Sequence, residues 1–280
     1  MAIKNQCKNC NTNLEGKFCY ECGQKTIMAS DKTLRFLVAD VFHFITHLDG
    51  KFIKTLVTLF RHPGLITKNI SEGITVRYFK LTSLYLIGTL IYFLMPSWIG
   101  FGFLNNPFDA QLENGIFKDW KNSYAENLAI SQHIDVDTLA TIYNENLHAY
   151  GKILTIIMIP LTIPVLWLVN IGIRRIKRDH NFTAYDLGTA SLEINSLLLF
   201  SIFVVGQGLV GVMHLQFPNV AIVTTVMIGI MVATVVMFYL FFKNAYQIRW
   251  WVSIFAVIIF LMGYMLTVEI YRELTFFVFI

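Results

Sequence analysis

Charge is scarce in this sequence. Asp, Glu, Lys and Arg make up 14% of its 280 residues against 55% apolar, with a mean hydropathy of +0.57, whereas a soluble domain carries about a quarter charged residues. That scarcity excludes an ordinary soluble fold of this length, whose helices would each show a charged face. Cysteine is scarce too: none follows Cys22, which excludes a disulfide framework through the rest of the chain. The first 30 residues hold no apolar h-region, so no cleavable signal peptide is expected and the N-terminus should remain in the mature protein. No nucleophile motif, phosphate loop or two-carboxylate pair in a plausible shared site is visible, which leaves hydrolase and kinase chemistry little support. The first 32 residues set five Lys against Glu15, Glu21 and Asp31. With Phe18 and Tyr20 read as packing rather than base platforms, no nucleic-acid partner is expected.

What cysteine there is falls in one pattern. Cys7, Cys10, Cys19 and Cys22 read C-x2-C-x8-C-x2-C, a spacing at which four thiolates can close a tetrahedral zinc site. Each knuckle needs a sharp turn after its second cysteine, and Asn11 and Gly23 stand there, both tolerant of positive φ. Two disulfides or a redox-active C-x-x-C are the alternatives, but bridges across two residues would be strained and isolated. Structural zinc is the expected cofactor, and a ribbon this small would draw most of its folding free energy from the metal.

Apolar runs dominate the remainder. Five spans can be drawn, Leu81 to Phe103, Ile153 to Ile173, Leu187 to Met213, Val220 to Phe242 and Trp250 to Val268, near the roughly 20 residues that cross a bilayer. Eighteen of the 22 Lys and Arg fall in residues 1 to 80, the Arg174 to Asp186 loop and at Lys243 and Arg249, whereas Asp109 through Glu145 hold seven carboxylates. The positive-inside rule then predicts a cytoplasmic N-terminus, an outside C-terminus and, for a bacterial protein, the inner membrane. Reduced thiolates fit the same side. The expected architecture is an all-α polytopic membrane protein of about five transmembrane helices, with a zinc ribbon at 1–27, cytoplasmic amphipathic helices at 28–80 and a transmembrane domain at 81–280.

Leu34, Leu37, Val38, Val41, Phe42, Ile45 and Leu48 recur at helical spacing, with Ser30 or Asp31 to cap the start. After Gly50 the stretch Phe52 to Phe60 is too short to span before His62-Pro63-Gly64 turns the chain. Both helices are expected along the inner leaflet with Lys51, Lys54, Arg61 and Lys68 at headgroup level, or packed as a cap beneath the bundle. In the outer loop 104–151, Asp135 is the cap candidate for a helix whose face carries Leu139, Ile142, Tyr143, Leu147 and Tyr150. No internal repeat is convincing, although the short spans leave an inverted-repeat transporter reading open.

The stretch Asp49-Gly-Lys-Phe-Ile-Lys-Thr-Leu, then His62-Pro63-Gly64, Gly73-Ile-Thr-Val-Arg-Tyr78 and Leu84-Tyr85-Leu86 resembles the bacterial domain-of-unknown-function family 3667. Its members carry a four-cysteine ribbon leading into D-x-x-F, P-G and G-K-R-x-x-Y motifs and then a membrane region. Ile74 and Thr75 stand where relatives usually have Lys-Arg, and Leu81 where a proline usually follows. Relatives often show histidines near the start of the third span, where this chain has Tyr185, Ser191 and Glu193. The resemblance implies a place in an uncharacterised family and no reaction.

Asp40, His43 and His47 fall at i, i+3 and i+7 on the first amphipathic helix, a spacing that could offer a second metal two imidazoles and a carboxylate. Histidines on the polar flank of an interfacial helix more often sit in water or near phosphate. Glu193 lies inside the third span with Asn195 beside it, Gln207 further along and Asn170 on the second span. An intramembrane carboxylate is a functional candidate by default; the structural alternative is an ion pair with Arg174 or Arg175 at the inner interface. Pro160 and Pro164 should free carbonyls in the second span, and Gly206, Gly208 and Gly211 should permit close helix contact. The leading expectation is a non-enzymatic docking or regulatory module whose partners are the bilayer and a cytoplasmic protein or anionic lipid. Transport or lipid handling at a polar site near Glu193 is the alternative, and a lipid enzyme using Asp40, His43 and His47 ranks third.

Overall fold

The computed structural model describes residues 50–74, 77–94, 106–114, 117–177, 182–206, 208–209 and 220–280, with isolated positions 12, 13, 16, 20 and 21. Cys7, Cys10, Cys19, Cys22, Asp40, His43, His47, Gln207 and the helix expected from Leu34 to Leu48 lie outside the described residues. The chain divides into two compact units, Met1–Ile53 and Lys54–Ile280. The described elements are α-helices α1 (Gly50–Arg61), α2 (Leu65–Ser71), α3 (Leu81–Leu94), α4 (Phe108–Glu113), α5 (Lys118–Gln132), α6 (Val136–Tyr150), α7 (Met158–Ile176), α8 (Ala184–Leu198), α9 (Val220–Tyr246) and α10 (Trp250–Phe279). A 3₁₀ turn over Ile153–Ile157 leads into α7, and a π-helical segment over Leu199–Gly206 prolongs α8.

Four helices are long and apolar enough to cross a membrane: Ile153–Ile176, Ala184–Gly206, Thr224–Tyr246 and Trp250–Phe279. The expectation of five is corrected to four for the described residues. α3 is described over 14 residues, Leu81–Leu94, about 21 Å of helical rise, and positions 95–103 of the expected first span lie outside the described residues. The third span starts at Ala184, earlier than Leu187, because Thr183 and Asp186 form a capping box: the Thr183 amide donates to Asp186 Oδ2 at 2.7 Å and the Asp186 amide to Thr183 Oγ1 at 3.3 Å. The last span runs to Phe279, well past Val268, since no Gly or Pro follows Gly263 to stop it.

α10 packs along α7 and α9, α7 along α8, and α3 along α8 and its π segment, while α2 lies against α8 and α9. Of the glycines expected at helix contacts, Gly211 lies outside the described residues, and the tightest approach between α7 and α10 is at Gly263. A Cβ on Gly263 of α10 would sit 2.6 Å from Val165 Cγ1 of α7, whereas one on Gly206 would meet nothing nearer than 3.4 Å. α8 is buried on nearly every side, and its polar residues Asp186, Thr189, Ser191, Glu193, Asn195 and Ser196 are all buried with it. Pro160 falls in the first turn of α7, where its missing amide costs nothing, and Pro164 alone interrupts the ladder. α1 is amphipathic, with Thr55 and Leu59 buried and Ile53 and Val57 exposed at 60% and 47%.

α4, α5 and α6 form a small helical cap on the end of α10. Its core is Phe108, Ala125, Leu139, Tyr143 and Leu147 against Phe276 and Phe279. Asp135 caps α6 as expected, accepting from the Thr138 amide at 3.1 Å. Leu139, Tyr143 and Leu147 face inward, but Ile142 and Tyr150 are exposed, so the buried stripe keeps strict i, i+4, i+8 spacing.

Candidate functional site

The Pro63-Gly64 turn and Glu193 build one site. A helix N-terminus leaves amides without partners, and at α2 the residue in the capping position is Gly64, at φ 85°, with no side chain to supply an acceptor. The acceptor comes from α8 instead. Glu193 Oε1 accepts from the Gly64 amide at 2.7 Å, and Oε2 accepts from the Thr67 amide at 2.7 Å and the Thr67 hydroxyl at 2.6 Å. Glu193 is fully buried, as is Thr67. A carboxylate at this end of a helix meets aligned amides and the positive end of the helix dipole.

The turn has no room for another residue. A Cβ on Gly64 would fall 2.3 Å from the Phe241 carbonyl oxygen and 2.9 Å from the Ala245 nitrogen, and the left-handed φ disfavours any side chain. Asn244 completes the junction from α9, its amide donating to the Pro63 carbonyl at 2.9 Å. Beyond α2, Asn69 donates to the Tyr78 hydroxyl at 2.5 Å and the Phe79 amide donates to Thr55 Oγ1 at 2.9 Å. Residues 54–74 and 77–80 are thereby stitched to one another and to α8 and α9.

Glu193's oxygens are thus engaged by Gly64 and Thr67. Of the polar site expected at Glu193, Asn195, Gln207 and Asn170, Gln207 lies outside the described residues, and the other three make separate contacts. Positions two apart on a helix point different ways: Asn195 turns to α7, donating to Thr162 Oγ1 at 3.1 Å and to the Ser191 carbonyl at 2.9 Å. Ser191 in turn donates to the Ile159 carbonyl at 2.7 Å. Asn170 is buried on α7 with no partner for Oδ1 among the described residues. Among the described residues no three His, Cys, Asp or Glu side chains gather at metal-binding distance.

A second buried polar site escaped the sequence reading. Lys121 of α5 is fully buried, and its ammonium donates to Glu273 Oε1 of α10 at 2.9 Å and to Gln111 Oε1 at 3.1 Å, 5.5 Å from the Phe276 ring centroid. Gln111 donates onward to the Tyr143 hydroxyl at 3.3 Å. Burial pushes the Tyr143 phenol up to about 12, so it stays protonated and donates to the Asn106 carbonyl. The available signal was spacing: Lys121, Ala125 and Ala129 are the buried face of α5.

Lys177 donates to the Tyr246 carbonyl at 3.1 Å, a cation closing the C-terminal end of α9. A cavity of about 610 Å³ opens where α2, the start of α3, the start of α7 and α8 meet, lined by Ile70, Leu81, Ile159, Gly188 and Leu192 with Lys80.

No curated protein and no solved structure matches the chain. Residues 49–93 match the family described as "Protein of unknown function (DUF3667)", which supports the family resemblance over the segment that carries its motifs.

Proposed function

We propose that this chain is a non-enzymatic integral membrane protein of the bacterial inner membrane. In this reading its N-terminal segment is a cytoplasmic docking or regulatory module, with Cys7, Cys10, Cys19 and Cys22 holding a structural zinc. The observation that carries it is the Glu193 junction. The segment matched by the family is fastened into the helices by a buried carboxylate, an asparagine and a left-handed glycine. Such a fastening suits a mount, because it fixes the turn before α2 against α8 and α9. It suits an ion route poorly, because both carboxylate oxygens are already taken. The charge distribution supports a cytoplasmic N-terminus, and in that topology the chain from Leu81 through the positions beyond α3 is a fifth crossing. The exposed Ile53 and Val57 on α1 support a helix lying at the interface.

Two measurements test this reading. Purified protein should carry one zinc per chain, lost in the Cys7→Ser and Cys19→Ser variants; metal content unchanged in both would remove the ribbon. Crosslinking in intact cells should capture a cytoplasmic partner or acidic lipid through residues 1–80. A deletion of residues 1–25 that changes neither the crosslinks nor the phenotype would sink the docking role.

A further inference from the structure

We propose that the cavity beside Gly188 is a seat for one acidic phospholipid, an acyl chain lying in the groove and the headgroup phosphate on Lys80. This deepens the reading that the N-terminal half engages an acidic lipid, and rests on it. The groove's volume of about 610 Å³ lies within the range of small-molecule sites, about 300–1,000 Å³. Its lining is mostly apolar, from Ile70, Leu81, Ile159 and Leu192, and Lys80 is the single charged residue on it. One cation at the edge of an apolar slot is the complement of an amphiphile with an anionic head. Lys80 is exposed, its ammonium makes no ion pair among the described residues, and it stands immediately before α3. Arg77, also exposed, precedes it by three residues, and such juxtamembrane cations favour anionic headgroups.

The groove is also empty where the fold could have filled it. Gly188 lies on α8 within the lining, and a Cβ built on it would meet nothing within 4 Å. Glycine in a helix interior is unfavourable relative to larger residues, so neither backbone geometry nor packing demands it here. Glycine there leaves the slot open to an acyl chain.

The test uses the full chain reconstituted in phosphatidylcholine vesicles containing a minority of phosphatidylglycerol, extracted gently and weighed by native mass spectrometry. Wild-type protein should retain one phosphatidylglycerol in preference to phosphatidylcholine, and added inorganic phosphate should not displace it. Gly188→Leu, which fills the slot, should lower retention about tenfold, and Lys80→Gln about fivefold. Lys243→Gln, outside the groove, should leave it unchanged. Lys80 is exposed, so its variant tests the seat even if Gly188→Leu fails to fold. Equal retention of both lipids, or retention indifferent to Lys80→Gln, would overturn the proposal. A change in oligomeric state in Gly188→Leu with lipid unchanged would give the groove to a second copy and overturn it too. Loss of the residue 1–25 interactions with lipid retention intact would instead remove the docking role and leave this seat standing.

Discussion

Removing the Glu193 carboxylate strands three donors at the start of α2, two amides and a hydroxyl, in a buried position. Hydrogen bonds to a charged group are worth more than neutral ones, and stranded buried donors carry a desolvation penalty, so Glu193→Ala should cost on the order of 3 kcal/mol in detergent unfolding. Glu193→Gln keeps the shape but turns an NH2 toward a donor, and should recover only part of that. Gly64→Ala acts on the same junction through sterics. Its φ of 85° and the 2.3 Å approach to Phe241 should make it at least as damaging, whereas Gly73→Ala, at φ 87° but in open space, should cost about 1–2 kcal/mol. Asp135 gives a pH signature at the same scale. The Thr138 hydroxyl first, and its amide second, hold the Asp135 carboxyl below its usual range. A carboxyl lowered by folding contributes stability above its unfolded value of about 4, and the contribution disappears as pH falls through the folded value. Protection of the amides in the first turn of α6, measured against their intrinsic exchange rate at each pH, should therefore fall on acidification below about pH 4. Asp135→Asn, which also caps, should show no such step.

At the scale of elements, the helical cap formed by α4, α5 and α6 hangs on α10 through an aromatic core and one buried ion pair. Truncating Lys121 to Ala leaves Glu273 charged and unpaired in that core, a loss of about 3–5 kcal/mol. Limited proteolysis should then open residues 106–150 while α7 to α10 stay protected. Lys121→Met combined with Glu273→Leu should restore much of the stability, because an apolar pair avoids the desolvation of two charges; a double variant as weak as the single one would show that the charges themselves are needed. Much of this layer was legible in the sequence. Periodicity located α6 and its cap at Asp135, and hydropathy located the four long helices, because both signals are local. The partners were not legible. Glu193 reads as an intramembrane carboxylate seeking a cation, and nothing local says that its partner is the backbone of Gly64, 129 residues away. Lys121 reads as one more polar residue of an outer loop, and its burial depends on where α10 ends, eleven residues beyond the expected Val268.

For the whole molecule, the charge pattern and the helices combine into a definite expectation. In the proposed topology, with a first crossing beginning at Leu81, five passages would carry the chain from a cytoplasmic N-terminus to an outside Ile280, and a reporter active only in the periplasm should be active when fused after Ile280. With four passages the same fusion would be dark. The Glu193 junction links this arrangement to the family segment: residues 54–80 are held by α8 and α9 rather than only by the chain that leads into α3. The central claim is that a buried carboxylate mounts this segment on the helices. Hydrogen exchange at the Gly64 and Thr67 amides, compared between wild type and Glu193→Ala in the same detergent, tests it most directly. The account predicts strong protection in wild type that collapses in the variant while α7 and α10 remain protected. Equal protection of those two amides in both proteins would contradict it.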